Sequence, residues 1–418
     1  MNAKDTLSKT ASAGMLALTG VSLAHLLNDA MQSAIPAVFP IFQQSMQLSF
    51  AQIGWIAFAL NVTASVLQPL VGFYTDKRPT PLLLPAGMVF SLLGMIGFAY
   101  SANWWMLIAS ALLLGIGSSV LHPESSRVAH LASAKGRGLA QSIFQVGGNT
   151  GQALAPLIVA WLVVPHGQRG LLLFSFAAVL GIALQGVVSG WYRRHLDSQA
   201  SKKRSALPAD NKPLKKGYVS FVIGLLIVLL FSKFVYIAGM TGYYAFYYMD
   251  RYGLPLENAQ LCLFVLQAAG MLGTLFGGPL ADRFGRKRII WFSILGTAPF
   301  SLLLPYATPF WAAVLCFMIG AILMSGFTVI IVYAQELLPG KVGTVAGLFF
   351  GLAFGLGGLG SVVLGALIDK TSVSFVIQLC AFLPLLGAAA LLLPKNVGAV
   401  RQTTEAETAS GGLTAESR

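Results

Sequence analysis

Long apolar runs, each bounded by charged residues, glycine, proline or tryptophan, recur along the whole chain of 418 residues. A run of about 20 apolar residues can cross the hydrocarbon core of a bilayer as a helix. The runs are continuous and lack the alternation of a membrane-spanning β-barrel, so they predict helices. We predict twelve such helices, at residues 14–41, 50–74, 81–100, 104–132, 139–164, 170–193, 217–249, 258–280, 288–306, 310–337, 342–367 and 373–393.

The composition excludes a soluble protein. Hydrophobic residues make up 56% of the chain and charged residues only 10%, whereas soluble domains carry about 25% charged residues. Polar side chains are therefore too few to cover a water-facing surface of this size. The predicted fold class is an all-α, multi-pass membrane protein that lies in the lipid bilayer.

The formal net charge is +13, and the basic residues are unevenly distributed along the chain. Of 27 lysines and arginines, 22 lie in segments on one predicted side of the membrane, three lie on the other side, and Arg127 and Lys233 lie within helices. Such an excess is the positive-inside pattern, which predicts that both termini are cytoplasmic. Because this pattern accounts for the basic residues, no nucleic-acid partner is expected.

Two blocks of six predicted helices are separated by a polar stretch. We predict an N-terminal half at residues 1–193, a basic cytoplasmic linker at 194–216, a C-terminal half at 217–394 and a cytoplasmic tail at 395–418. The tail is rich in threonine, alanine, glutamate, serine and glycine, a composition that predicts disorder.

A short loop motif occurs once in each half. Gly72 and Asp76 precede two basic residues between helices 2 and 3, and Gly278 and Asp282 precede a similar basic stretch between helices 8 and 9, 206 residues later. This repeat resembles the major facilitator superfamily of secondary transporters, which implies two six-helix halves in parallel orientation and alternating access. The candidate gating residues are Asp76, Lys77, Arg78, Asp282, Arg283 and Arg286.

Two interpretations of these loop charges remain open. The aspartates can form latches, because a carboxylate beside basic residues and a helix N-terminus is stabilised in one access state. Alternatively, the loop charges only set the topology of the chain. We favour the latch for Asp76 and Asp282, and topology for the basic residues.

Charged and polar residues also lie inside the predicted helices, where a charge is costly and marks a functional candidate. Residues 25, 29 and 32 share one stripe of helix 1 because of the helical period. The candidates are His25, Asn28, Asp29 and Gln32 in helix 1, His122, Glu124 and Arg127 in helix 4, Gln141, Gln145, Asn149 and Gln152 in helix 5, and Lys233 and Tyr236 in helix 7.

The alternative for these residues is a purely structural hydrogen-bond network between helices. The repeat aligns Asp29 with Val235, and His122 with Phe327. The same architecture is thus expected to form elsewhere in this chain with apolar residues at these places. The fold does not require the charges, and we therefore favour a function for them.

The buried carboxylates are suited to proton transfer. Burial in a low-dielectric cavity disfavours the charged form of a carboxylate, so such a group can bind and release a proton. We predict that Asp29 and Glu124 couple transport to protons. His25 and His122 either relay protons or form structural hydrogen bonds.

The embedded basic residues predict the class of substrate. Arg127 and Lys233, one from each half, favour a small anion such as a carboxylate, phosphate or phosphonate. No recognised metal-ligand spacing occurs, so no metal is expected, and transport driven by the proton gradient needs no cofactor. The remaining candidates for substrate binding are Asn28, Gln32, Gln141, Gln145, Asn149 and Tyr236.

Three segments show a closer resemblance. HLLND at 25–29, HPESSR at 122–127 and QSIFQVGGN at 141–149 are similar to the bacterial fosmidomycin resistance protein family. This resemblance implies a proton-coupled drug exporter of the inner membrane, with the phosphonate antibiotic fosmidomycin as a substrate.

We therefore predict a transporter that exports fosmidomycin-like or other small anions in exchange for protons. We expect it to function as a monomer, because one chain holds both halves. The alternatives are a proton-coupled importer of a small nutrient anion, which would use the same residues, and a non-transporting membrane sensor. An enzyme is not expected, since no recognised nucleophile, nucleotide-binding loop or metal motif appears.

Overall fold

A computed structural model describes residues 3–132, 137–199, 216–338 and 342–394, and no strand occurs among them. Most of the predicted linker, residues 200–215, and the whole predicted tail, residues 395–418, lie outside the described residues. The fifteen α-helices of the described chain are α1 (Ala3–Ala37), α2 (Phe39–Met46), α3 (Phe50–Lys77), α4 (Leu83–Tyr100), α5 (Trp104–Ala132), α6 (Arg137–Ile158), α7 (Leu173–Gln199), α8 (Lys216–Tyr252), α9 (Leu256–Phe284), α10 (Arg286–Leu295), α11 (Ala298–Leu303), α12 (Pro309–Met324), α13 (Phe327–Leu337), α14 (Val342–Lys370) and α15 (Val373–Ala381).

Short 3-10 and π-helical segments follow some of these α-helices. A π-helical turn and a 3-10 segment follow α6, a 3-10 turn follows α11, and a longer 3-10 segment follows α15. Within the described residues, ten helical stretches are long and apolar enough to cross a membrane. One of them, residues 143–198, is 56 residues long and is interrupted at Gly167, where φ is 60° and the backbone leaves the helical conformation. The protein is thus an all-helical, multi-pass membrane protein over the described residues.

Several helix ends have clear local causes. At the start of α3, the Ser49 hydroxyl accepts a hydrogen bond from the Gln52 backbone N–H, and the Gln52 side chain accepts one from the Ser49 N–H. This reciprocal pair satisfies two N–H groups that a helix start leaves open. Between α9 and α10, Gly285 has φ of 91°, a conformation that glycine adopts without a steric penalty.

Close helix contacts depend on glycine at the centre of the N-terminal group of helices. A Cβ on Gly151 of α6 would lie 2.0 Å from the carbonyl oxygen of Leu26 in α1, and one on Gly148 would lie 2.4 Å from the His25 ring. The backbones of α1 and α6 can approach this closely only because neither glycine has a side chain. This approach brings the polar residues of α1 against those of α6.

Helices from residues 3–199 pack mainly with one another, as do helices from residues 216–394. The contacts between the two groups run chiefly from α3 to α14 and from α6 to α9. We call the end of the bundle at which α3 begins and α14 ends the Asp369 end. At this end the Asp369 carboxylate of α14 accepts hydrogen bonds from the backbone N–H groups of Phe50 and Ala51, both 2.8 Å long.

Candidate functional site

A buried carboxylate between two imidazole rings forms the centre of the site. Asp29 of α1 is 3% exposed. His25, one turn earlier on the same helix, places Nε2 3.4 Å from Asp29 Oδ2, and His122 of α5 places Nε2 3.5 Å from Asp29 Oδ1. We call His25, Asp29 and His122 the triad. The polar residues predicted on one stripe of helix 1 are therefore in contact with His122 of predicted helix 4.

Main-chain carbonyls fix the orientation of both rings. His25 Nδ1 lies 2.8 Å from the carbonyl oxygen of Phe144, and the His25 ring also stacks on the Phe144 ring at 4.2 Å. His122 Nδ1 lies 3.0 Å from the carbonyl oxygen of Ser118, one turn earlier in α5. A carbonyl oxygen only accepts hydrogen bonds, so the Phe144 contact favours a hydrogen on His25 Nδ1. His122 Nδ1 also lies 3.3 Å from the Ser118 hydroxyl, which can donate to it. In both rings Nε2 lies on the side of the carboxylate.

Two amide side chains complete the surroundings of Asp29. Gln152 of α6 donates from Nε2 to Asp29 Oδ2 at 2.8 Å, and Asn28 donates from Nδ2 to Asp29 Oδ1 at 3.2 Å. The Asn28 side-chain oxygen in turn accepts a hydrogen bond of 3.4 Å from the Ser91 hydroxyl of α4. Three helices, α1, α5 and α6, thus contribute polar groups to one carboxylate, and α4 supports them through Asn28.

The triad can hold a cation. Its two imidazole nitrogens and the carboxylate lie within 4.8 Å of one another, a donor set that suits a proton or a transition-metal ion. The triad is also accessible from one side only, because the His122 side chain is 21% exposed whereas that of His25 is 1% exposed. A cation would therefore enter past His122.

Glu124 and Arg127 form a second charged cluster. Glu124 is fully buried, and its Oε1 lies 3.6 Å from Arg127 Nε. The Arg127 guanidinium also donates to Thr75 at the end of α3, at 2.7 Å to the carbonyl oxygen and 3.2 Å to the hydroxyl. Arg127 thus forms an ion pair with Glu124 and is also hydrogen-bonded to the end of α3, next to the predicted gating loop after helix 2.

Lys233 and Tyr236 of α8 lie inside the C-terminal group of helices. Lys233 is fully buried and donates from Nζ to the carbonyl oxygen of Leu323 in α12. Its Nζ lies 5.8 Å from the centre of the Phe327 ring. The Tyr236 hydroxyl accepts a hydrogen bond of 3.0 Å from Ser301. The structure joins neither residue to the triad or to Arg127.

The other predicted polar residues occupy α1 and α6. Gln145 donates from Nε2 to the side-chain oxygen of Asn149 at 3.2 Å, one turn along the same helix. Gln32 is partly exposed on α1. The side chain of Gln141 lies outside the described side chains.

The predicted gating residues lie at helix ends or directly beside them. Lys77 and Arg78 are exposed, and Lys77 Nζ lies 4.0 Å from the centre of the Phe73 ring. The Asp76 side chain is outside the described side chains. In the second copy of the motif, Arg286 pairs with Glu336 of α13.

The two other members of that copy are exposed. Arg283 lies over the Phe284 ring at 5.4 Å, and Asp282 has no ion pair within the described part of the chain. The ion pair of Arg286 therefore joins two helices of the C-terminal group and does not bridge the two groups.

Sequence reasoning missed several residues of the site. The sequence places Gln152 on the polar face of helix 5 but does not indicate its contact with Asp29. It gives no role to Ser91 or Asp369. The sequence gives only a weak indication of Asp369, which is an acidic residue just beyond the end of a predicted span. Its partner at residue 50 is 319 positions away, and only the packing of α3 on α14 reveals it.

The sequence is similar to those of known proteins. Residues 21–361 match the sequence profile of the Major Facilitator Superfamily. The chain belongs to this family. The fosmidomycin resistance protein of Escherichia coli (strain K12) is 48% identical to it over 379 residues, which cover 91% of this chain and 93% of that protein. The uncharacterized MFS-type transporter YfnC of Bacillus subtilis (strain 168) is 45% identical over 377 residues, or 90% of this chain and 92% of that protein.

A solved structure supports the fold independently. The nucleoside transporter NupG superposes with a TM-score of 0.69 at 14% sequence identity, covering 90% of this chain and 99% of that one. At this identity the likeness concerns the fold alone. Family and fold together establish a membrane transporter for small molecules, and the expectation that the protein is not an enzyme is confirmed.

Proposed function

We propose that this transporter exports fosmidomycin-like or other small anionic compounds in exchange for protons, by alternating access. The single observation that supports it most strongly is the buried triad, in which Asp29 lies between two imidazoles. An ionisable cluster inside a membrane protein is energetically costly, so its presence favours a role in the transport of an ion or substrate. The 48% identity to a protein named for fosmidomycin resistance supports the drug and the direction.

The proposal includes twelve membrane-spanning helices in two six-helix halves. Ten stretches qualify by length and composition. We add α1, whose polar triad residues lower its hydropathy, and we divide residues 143–198 at the break at Gly167. With this count and the positive-inside rule, both termini are cytoplasmic, the protein lies in the inner membrane and the Asp369 end faces the periplasm.

In this proposal the triad binds protons, and the cluster of Glu124 and Arg127 binds the anion. The triad would bind protons from the cavity. Arg127, whose side chain is 21% exposed, would bind the anion once a proton on Glu124 weakens their ion pair. Lys233 supplies a second positive charge in the C-terminal group of helices.

Everted inner-membrane vesicles test the proposal directly. The vesicle lumen is acidified, a pH-sensitive dye reports the gradient, and fosmidomycin is added to the outside. Drug-induced loss of luminal protons that needs this protein is expected for drug/proton exchange. Vesicles with an equal amount of the Asp29→Asn variant serve as a matched control. No response from inserted, folded protein would overturn the exchange of fosmidomycin for protons.

A proton-coupled importer of a nutrient anion is the second candidate. Protonation of the two imidazoles around Asp29 would give the cluster a positive charge, which favours an anion and protons bound together. Such simultaneous binding is the requirement of symport. Accumulation of a radiolabelled anion in right-side-out vesicles, driven by an inward proton gradient, would favour import, whereas drug-dependent proton loss from everted vesicles favours export.

A further inference from the structure

One nitrogen of the triad is buried without a hydrogen bond. His25 Nε2 has no hydrogen-bond partner, which is energetically costly for a buried polar atom. The ring is nevertheless held in place, because its Nδ1 lies 2.8 Å from the carbonyl oxygen of Phe144, and this contact favours a lone pair on Nε2. A Cβ on Gly148 of α6 would lie 2.4 Å from Nε2, so glycine keeps the space beside the nitrogen open. The structure thus directs an unused ligand atom toward Asp29.

Both rings of the triad have the surroundings of histidines that bind metals. A metal-binding histidine usually donates its second ring N–H to a main-chain carbonyl, a carboxylate or water, which directs the other nitrogen at the ion. His25 has the Phe144 carbonyl as this acceptor, and His122 has the Ser118 carbonyl at 3.0 Å. An ion on His122 Nε2 places the hydrogen of that ring on Nδ1, where the Ser118 carbonyl accepts it.

The distances within the triad fit a tetrahedral ion. Ligand atoms that lie about 2.0–2.1 Å from a tetrahedral zinc ion are about 3.3–3.4 Å apart. Asp29 Oδ2 lies 3.4 Å from His25 Nε2, and Asp29 Oδ1 lies 3.5 Å from His122 Nε2. Bonds at right angles, as in six-coordinate ions, would place neighbouring ligand atoms only about 3.0 Å apart. One ligand atom from each residue lies within 4.8 Å of the others, so a bound ion would draw the more exposed His122 ring inward.

The donor atoms select the class of ion. Two imidazole nitrogens and one carboxylate suit zinc and the neighbouring transition-metal ions, whereas magnesium and calcium take oxygen ligands. Three protein ligands leave the fourth tetrahedral position for water. The His122 side chain is 21% exposed, and its ring lies 6.4 Å from the Phe354 ring of α14. The fourth position therefore faces the boundary between the two groups of helices, and an ion would enter from there.

We propose that the triad binds one divalent transition-metal ion of the zinc type, through Nε2 of His25, an oxygen of Asp29 and Nε2 of His122. The sequence shows no metal-ligand spacing because the ligands come from two helices, α1 and α5, that only the fold brings together. An ion on these three atoms excludes protons from them, so it should inhibit the exchange of drug for protons. This consequence rests on the proposed function, whereas the metal site depends only on the contacts described above.

Cobalt(II) tests the site without any transport, because it can take the place of zinc and absorbs visible light much more strongly when four-coordinate than when six-coordinate. Purified full-length protein, with any affinity tag removed, would be stripped of metal with a chelator, freed of the chelator and titrated with Co²⁺ at pH 7.5. We expect one strongly absorbing Co²⁺ per chain, which one equivalent of Zn²⁺ displaces. No absorption, or only the weak absorption of six-coordinate cobalt, would overturn the inference.

Phenylalanine variants of single histidines locate the ion, because phenylalanine keeps a ring but cannot bind a metal. We expect His25→Phe and His122→Phe each to weaken Co²⁺ binding by at least about tenfold. His166→Phe is the matched control, since it replaces an exposed histidine outside the triad and should leave the affinity unchanged. Thermal unfolding midpoints measured with chelator show which variants fold, and the partly exposed His122 is the more tolerant position. Unchanged affinity in folded His122→Phe protein would overturn the inference.

The metal site and the proposed function fail separately. Binding of one Co²⁺ per chain together with silent vesicles would keep the metal site and reject the exchange of fosmidomycin for protons. Drug-dependent proton loss from a protein that binds no Co²⁺ would retain the exchange and reject the site. Where both hold, Zn²⁺ at a concentration that fills the site should abolish the proton loss, and a chelator should restore it. Undiminished proton loss with the site filled would overturn the exclusion of protons by the ion.

Discussion

Asp369 at the end of α14 caps the first turn of α3 by accepting hydrogen bonds from the main chain of Phe50 and Ala51, both 2.8 Å long. The contact joins the two groups of helices, which the proposed mechanism requires to separate at this end during transport. A carboxylate at a helix N-terminus satisfies open N–H groups and interacts favourably with the helix dipole. The contact therefore stabilises the state in which the Asp369 end is closed.

We expect Asp369→Asn to shift the protein toward the state that is open at this end. Asparagine has only one accepting oxygen, so one of the two N–H groups loses its partner, and it lacks the negative charge that a helix N-terminus favours. Together these losses cost about 1 kcal/mol, or about a fivefold change in the ratio of the two states. Spin labels at residues 44 and 371, both exposed at this end, measure the opening as a longer distance. The native cysteines do not interfere because all three are buried.

The control for this experiment is Asp250→Asn, which removes an exposed carboxylate near the end of α8. It should leave the distance distribution unchanged. Equal distributions for Asp369→Asn and the wild type would show that the cap does not hold this end closed.

Asp29→Asn should abolish drug-dependent proton movement while the protein still folds. Asparagine preserves the volume of the buried side chain, but it has no negative charge and cannot bind a proton as a carboxylate does. The dye assay in everted vesicles measures the loss. Asp197→Asn, an exposed change near the end of α7, should leave proton movement at the wild-type level. Proton movement at more than about half the wild-type rate in Asp29→Asn would remove the triad from the coupling mechanism.

Glu124→Gln should reduce proton coupling by weakening the link between the proton and the anion. The carboxylate of Glu124 is fully buried and lies 3.6 Å from Arg127. Glutamine leaves Arg127 permanently without this charged partner, so anion binding should become less dependent on pH. Titration calorimetry of fosmidomycin binding between pH 5.5 and pH 8 measures the dependence. The same slope in the variant and the wild type would exclude Glu124 from coupling.

Arg127→Ala should weaken fosmidomycin binding by about tenfold or more, because a hydrogen bond to a charged group is worth about 1.5–3 kcal/mol. The substitution also releases α3 at Thr75, so the stability of the variant must be measured in parallel. Arg127→Lys keeps the positive charge and should retain part of the affinity. Unchanged affinity in a folded Arg127→Ala protein would place the anion elsewhere, with Lys233 as the next candidate.

Gly151→Ala should destabilise the contact between α1 and α6. The added Cβ would lie 2.0 Å from the carbonyl oxygen of Leu26, so the helices must move apart, at a cost of about 1–3 kcal/mol. The thermal unfolding midpoint of the detergent-solubilised protein measures this loss. Gly186→Ala is the matched control, since its Cβ would meet nothing within 4 Å. Equal midpoints for the two variants would show that α1 and α6 are less tightly packed than described.

Helix positions were predictable where one apolar run forms one helix. The predicted span 104–132 coincides with α5, and the predicted start at residue 50 coincides with the start of α3. The span 14–41 was predicted as unbroken, but the structure ends α1 at Ala37 and begins α2 at Phe39. Hydrophobicity alone does not show such breaks, because the residues on both sides remain apolar.

The site was only half predictable for a similar reason. Helical spacing placed His25 and Asp29 on one stripe, and the structure confirms that they are in contact. Spacing carries no information about how α1, α5 and α6 rotate against one another, so neither the contact of His122 with Asp29 nor that of Gln152 was derived from it. These contacts depend on glycines that let the helices approach, and such packing is decided by the whole bundle.

Three contacts between the two groups of helices share one property, which the side-chain contact from Thr150 to the Met271 sulfur lacks. Ser65 donates to the carbonyl oxygen of Gly351, Gln260 donates to that of Ala37, and Asp369 accepts from the N–H of Phe50. In each case one partner is a main-chain group. Every amino acid provides a carbonyl oxygen, and every amino acid except proline provides an N–H. These three hydrogen bonds therefore constrain the side chains of Ser65, Gln260 and Asp369, but not the type of residue that provides the main-chain partner.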